Sequence, residues 1–134
     1  MKLTKATNYA LHTMMFLAVN PPHEHIGVAK LAERQGVSTT YLSKILTKLV
    51  KSGLVESVSG ANGGYKLKPD WEKLSLLDVI KAIEGLTPIF DYCHSHNPDC
   101  LIQKAIESAE EKLLNELNQT RIVDLANKLN ETSI

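Results

Sequence analysis

The feature that most constrains the fold is a run of glycines between two short apolar stretches. Residues 54–58 and 65–67 have the β-branched, aromatic and alternating character of strands. The six residues between them are Ser59, Gly60, Ala61, Asn62, Gly63 and Gly64. Glycine permits tight backbone curvature and asparagine tolerates a positive φ. The sequence therefore predicts a β-hairpin with a glycine-rich tip.

Helical periodicity predicts most of the remaining structure. Apolar residues recur every three or four positions over 4–19, 28–35, 39–52, 76–84, 101–117 and 122–129. Gly36, Gly53 and Gly85 are placed to end three of these helices, and Ser38 and Ser75 are placed to cap the starts of two of the same three. We expect a mostly α fold with one small β-hairpin.

Two of these helices precede the hairpin in a helix-turn-helix arrangement. A two-turn helix, a glycine turn at Gly36 and a second helix opened by Ser38 follow one another directly. A helix–glycine–helix segment alone also fits an ordinary helical hairpin, but the glycine-rich β-hairpin that follows is the element that a winged helix adds. The predicted fold is a winged helix-turn-helix with a long C-terminal dimerisation helix.

The charges divide the chain into two parts. The formal net charge of the 134 residues is zero, yet residues 1–75 carry ten Lys/Arg against five Asp/Glu, and residues 76–134 carry five against ten. A polyanion such as double-stranded DNA is attracted to the first part and repelled by the second, although an uneven solvated surface has the same pattern. We therefore predict a DNA-binding domain over 1–75 and a second region over 76–134.

The predicted DNA contacts lie at the chain start, on the second helix of the helix-turn-helix and on the hairpin. Hydroxyls and amines there can donate to phosphates and base edges, and a tyrosine can pack against a sugar or a thymine methyl. The candidates are Lys2, Thr4, Lys5, Ser38, Thr39, Thr40, Tyr41, Ser43, Lys44, Lys48, Ser59, Asn62, Gly63, Gly64 and Lys66.

Other function classes find less support. The chain has no apolar run long enough to span a membrane and no signal-peptide pattern, so we expect a cytoplasmic protein without membrane contact. Cys, His and Asp occur together near residue 95, but no oxyanion hole, phosphate loop or cofactor fingerprint accompanies them, so we do not expect an enzyme. A dimerisation module without DNA binding would leave the hairpin and the basic half unexplained.

Several segments together resemble the Rrf-two family of bacterial winged helix-turn-helix regulators, whose members include IscR, NsrR and CymR. The resemblance is carried by MKLT at 1–4, LAERQGVS at 31–38, YL at 41–42, LVKSGLV at 49–55, GANGGY at 60–65, LLDVI at 76–80 and IEG at 83–85. It implies a homodimer held by the long C-terminal helix, with a sensing loop and dimerisation helices making up 76–134. It also implies a wing in the minor groove and a transcription regulator that is more often a repressor.

The cysteine loop departs from the family pattern. Cluster-binding members carry three cysteines before the long helix, whereas this chain has Cys93 and Cys100, and Gln103 stands where IscR-like chains have a histidine. Iron–sulfur clusters need four suitable ligands, mostly thiolates, so one chain offers too few unless His94, His96 or a partner subunit contributes.

Three interpretations of the loop stay open. A helix start favours a thiolate at Cys100, and Cys93 is close enough along the chain to pair with it, which makes a thiol switch without a cofactor the preferred interpretation. Cys93, His94, His96 and Cys100 could instead bind zinc or part of an iron–sulfur cluster. The third alternative is an inert loop in a regulator that responds to a small-molecule effector or to none.

Overall fold

The helices and the hairpin lie close to where the sequence predicts them. The structure is a computed structural model that describes residues 3–20, 24–85, 87 and 99–132, with side chains up to residue 129. Its helices are α1 (Lys5–Val19), α2 (Val28–Gln35), α3 (Thr39–Lys51), α4 (Leu76–Glu84), α5 (Leu101–Gln119) and α6 (Ile122–Thr132). Strands β1 (Val55–Val58) and β2 (Gly64–Leu67) form an antiparallel pair, and a 3-10 turn over Trp71–Lys73, which the sequence analysis did not predict, leads into α4. The fold is therefore mostly helical with one hairpin, as predicted.

Local capping explains where the central helices begin and end. The hydroxyl of Ser38 accepts a hydrogen bond from the backbone N–H of Tyr41 at 3.1 Å, which satisfies one of the free donors at the start of α3. Gly36, with φ of 67°, ends α2 in the left-handed conformation that glycine adopts without strain. Ser75 and Asp78 form a reciprocal capping box at the start of α4. Gly36 and Ser38 thus set the sharp turn between α2 and α3.

The core forms around α1. Ala10 and Met14 of α1 are fully buried and belong to the same apolar cluster as Leu31 of α2 and Leu46 of α3. Ile122 of α6 joins this cluster, so both predicted regions of the chain contribute to one core. Burial of large apolar side chains is the main favourable term in folding, and here it fixes α3 with one side inward and the other free.

The long helix α5 packs much less than the others. No residue of α5 is buried. Leu114 and Leu117 of α5 pack against a small cluster formed by Leu77 and Ile80 of α4. The sequence analysis placed the apolar residues of this helix on one face, but the structure divides them. Ile106 and Leu117 are half-buried, whereas Ala105 and Ala109 are exposed together with Ile102 at 76% and Leu113 at 38%. An exposed apolar stripe thus runs along α5.

The hairpin is also joined to the segment before α2. Ile26 and Tyr65 exchange backbone hydrogen bonds of 2.9 and 2.8 Å, so β2 is paired on both of its edges. A Cβ atom on Gly64 would lie 2.5 Å from the carbonyl oxygen of Ile26, which is closer than real contacts allow. Glycine at position 64 is therefore required by the close approach of two backbones.

None of the helices in the described ranges combines the length and the apolar character that a membrane span requires.

We predict that Gly64→Ala destabilises the protein by about 1–3 kcal/mol, because the added methyl group must displace the Ile26 backbone. Gly27→Ala is the matched control, since a Cβ there meets its nearest atom at an ordinary 3.8 Å, and we expect it to cost less than about 1 kcal/mol. Urea unfolding of both variants measures the difference. Equal stabilities would contradict the close approach.

Candidate nucleic-acid interface

The outward side of α3 is polar and basic along its length. Its inward positions Leu42, Ile45, Leu46 and Leu49 are buried. The predicted DNA-contacting residues occupy the remaining positions: Ser38, Thr39, Thr40, Tyr41, Lys44 and Lys48 are exposed, and Ser43 is half-buried. Thr47, which the sequence analysis did not select, is exposed on the same helix, and its hydroxyl donates to the carbonyl of Ser43 at 2.8 Å. This helix can present amines, hydroxyls and one aromatic ring to a ligand.

Tyr41 is held in place by a second tyrosine. Its ring meets the ring of Tyr9 edge-to-face, with centroids 5.7 Å apart and an interplanar angle of 83°. This arrangement is favourable between aromatic rings and restricts the rotamers that Tyr41 can adopt. In the sequence, Tyr9 belongs to the apolar pattern of the first helix and is expected only to pack in the core. Its contact with Tyr41 is visible in the structure alone. The contact ties the start of α3 to α1.

The start of α1 carries one free candidate and one that is engaged in the fold. Lys5 is exposed. The hydroxyl of Thr4 caps α1 by accepting from the N–H of Thr7, and it donates to the carboxylate of Glu84 at the end of α4. Because its proton is used there, the hydroxyl of Thr4 links the start of α1 to the end of α4. Lys2 lies outside the described residues.

The hairpin tip is exposed and its second strand carries a lysine. Ser59 and Asn62 are exposed, and Gly63 and Gly64 are half-buried. Lys66 lies directly across the strand pair from Glu56, with 3.8 Å between Nζ and Oε2. An exposed ion pair of this kind is weak, so Lys66 can exchange Glu56 for a phosphate at small cost.

The structure reveals one hairpin contact that the sequence analysis did not identify. The Nε2 atom of His25 is hydrogen-bonded to the backbone carbonyl of Asn62 at the hairpin tip. The only sequence signal was a polar stretch over 23–25, which does not indicate a partner 37 residues away.

The cysteine loop is described only at its end. Cys100 is half-buried at the N-cap position of α5. Cys93, His94 and His96 lie outside the described residues. Among residues 3–20, 24–85, 87 and 99–132, no three His, Cys, Asp or Glu side chains lie together as a metal site requires. These residues do not by themselves make up a zinc or iron–sulfur site, and the four-ligand set stays a prediction from sequence.

Comparison with known proteins agrees with this arrangement. Residues 3–128 match the sequence model of the Rrf2 family, described as iron-dependent transcriptional regulator. CymR, the global cysteine regulator of B. subtilis, is similar in structure with a TM-score of 0.78 and 25% identity, over 96% of this chain and 98% of that one.

Two further solved structures are similar. IscR of T. potens has a TM-score of 0.81 and 27% identity, over 100% of this chain and 92% of its own. The oxidized form of CymR from Staphylococcus aureus has a TM-score of 0.81 and 28% identity, over 94% and 96% of the two chains. The match extends over nearly the whole sequence, as the resemblance in the sequence segments predicted, and the chain belongs to the Rrf2 family of transcription regulators.

Proposed function

We propose that this protein is a sequence-specific DNA-binding repressor that reads its operator with α3 and contacts the adjacent minor groove with the hairpin. The observation that carries the proposal is the division of α3 into a buried apolar side and an exposed side with hydroxyls, a tyrosine and three lysines, Lys44, Lys48 and Lys51. A helix presented in this way fits the major groove, where such side chains donate to phosphates and bases. Repression follows when the bound protein occupies a promoter.

Different residues of the interface are assigned different roles. Lys44 and Lys48, with Lys66 on the hairpin, contact phosphates and supply affinity for any duplex. Thr40 and Tyr41 lie near the start of α3, the part of a recognition helix that enters the groove, and contribute to sequence preference. At the hairpin tip the exposed Ser59 and Asn62 approach the DNA, while Gly63 and Gly64 leave room for backbone atoms of the protein itself.

The test of this function is the salt dependence of duplex binding. We expect wild-type affinity to fall steeply with salt, and Lys44→Ala and Lys48→Ala each to weaken all sequences alike and to reduce the slope of log K against log salt by about one. Lys112→Ala, an exposed lysine of α5, is the control and should change neither quantity. Fluorescence anisotropy at several salt concentrations gives both. Unchanged affinity and slope in the α3 variants would contradict the assignment.

We infer that the protein acts as a homodimer through α5. The exposed stripe of Ile102, Ala105, Ala109 and Leu113 recurs at helical spacing, and a long amphipathic helix with no buried residue gains stability when a second copy covers it. A two-fold dimer would also present two copies of α3 to a palindromic operator.

Replacing Ile102 and Leu113 together by Glu is expected to produce monomers with intact secondary structure, because the charges cannot be buried against a second α5. Ser108→Glu adds the same charge at an exposed position outside the stripe and should stay dimeric. Sedimentation equilibrium distinguishes one chain of 14.8 kDa from two. A dimeric double variant would exclude this interface.

We further propose that any redox response of the regulator runs through Cys100, with Cys93 as its partner and no iron–sulfur cluster in protein isolated in air. Cys100 is accessible in part, and it is the residue from which α5 begins. In the thiol switch, the two thiols lose two protons and two electrons to an external oxidant and form a disulfide. A bond made at the start of α5 would shift that helix and change the spacing of the two recognition helices.

The expected result is that diamide changes DNA affinity in the wild type and has no effect on Cys100→Ser. Cys93→Ser should also lose the response, whether its partner Cys100 belongs to the same chain or to the second one. The covalent mass of the oxidised wild type under denaturing, non-reducing conditions distinguishes these two cases. A Cys100→Ser protein that responds like the wild type, or anaerobic protein with stoichiometric iron and sulfide, would overturn this account of the sensor.

A further inference from the structure

The tip of the hairpin, residues 59–63, has few internal restraints. The ladder between β1 and β2 ends at the pair Val58–Gly64. Beyond it, a backbone hydrogen bond of 3.0 Å from Gly63 N–H to the Gly60 carbonyl closes the turn. A short exposed turn with one internal bond samples many conformations, and ordering it on a ligand costs free energy.

His25 gives this tip a hydrogen bond to a distant part of the chain. Its Nε2 atom is bonded to the carbonyl oxygen of Asn62. Since a carbonyl oxygen can only accept, Nε2 carries the proton and donates. Within the described residues, His25 supplies the tip's single hydrogen bond to any segment outside the hairpin.

The two residues that follow His25 fix the backbone from which its side chain extends. Ile26 is paired with Tyr65 through both of its backbone groups, and Gly27 is the N-cap of α2. The side chain of His25 therefore extends from a backbone that is fixed to β2 through Ile26 and to α2 through Gly27. A donor at this place can set the position of the tip relative to α2 and α3.

We propose that His25 is a positioning residue for the wing, holding the tip in the conformation that enters the minor groove before DNA arrives. The proposal rests on the DNA-binding function inferred above. Ordering the tip in the free protein lowers the conformational entropy lost on binding, so the bond increases affinity although His25 contacts no DNA.

The test compares three substitutions that differ in the reach of their donor. In Gln the amide nitrogen is as many bonds from Cβ as Nε2 is in His, whereas in Asn it is one bond nearer, and Ala has no donor. His12→Ala is the control, because His12 is bonded to the carbonyl of Asn8 within α1 at 2.8 Å and lies far from the hairpin in sequence. Amide hydrogen exchange of Gly63 in the free protein and affinity for duplex DNA are both measured.

We expect His25→Ala and His25→Asn to speed exchange at Gly63 by about five- to tenfold, the factor for loss of one ordinary hydrogen bond, and to weaken DNA binding by a similar factor. His25→Gln should recover most of both effects, and His12→Ala should match the wild type. Rescue by Gln but not by Asn is not expected of a residue that merely fills space or adds charge.

The possible outcomes test the positioning role of His25 separately from the proposed DNA-binding function. Unchanged exchange in His25→Ala, with DNA binding intact in the wild type, overturns the positioning role of His25 and leaves the proposed function standing. Faster exchange with unchanged DNA affinity shows that the hydrogen bond orders the tip but does not contribute to binding, which also overturns the proposal. A wild type that binds no DNA overturns the proposed function, whatever the exchange data show.

Discussion

The structure depends on the burial of one side of α3 against α1. Leu42, Leu46 and Leu49 are completely buried, and Met14 of α1 lies in the same cluster. Since interiors are packed as densely as organic crystals, these side chains leave α3 little freedom to rotate about its axis. The rotation of α3 in turn decides which residues are exposed. The packing of the apolar side of α3 against the core thus determines which polar residues form the exposed face that we assign to DNA.

The hairpin takes its position from a second, smaller set of interactions. It meets the helix-turn-helix through the backbone of Ile26, the absence of a side chain at Gly64 and the donor of His25. Each of these acts between segments almost forty residues apart in sequence. Together they attach a two-stranded hairpin, which is marginal by itself, to the helix-turn-helix to which we assign DNA binding.

The end of α4 is tied to the start of α1 by hydroxyl–carboxylate hydrogen bonds. Glu84 accepts from Thr4 and also from the fully buried Thr7 at 3.1 Å. Glu84 is the last residue of α4, and the segment toward Cys100 begins just after it. Helix α4 is thus bonded to α1 at its end, and it packs against α5 through Leu114 and Leu117.

The sequence by itself determined the α-helices and the hairpin, their order and the inward face of α3, because helical periodicity, Ser38 and Ser75 as caps, and Gly36 as a stop act within a few residues of one another. It also indicated the polar side of α3 and the family. The tertiary structure decided the partners of Tyr41, Thr4 and His25, and it divided the apolar residues of α5 into a half-buried and an exposed set. These are contacts between distant segments, and their geometry follows from how whole helices pack, which no local pattern encodes.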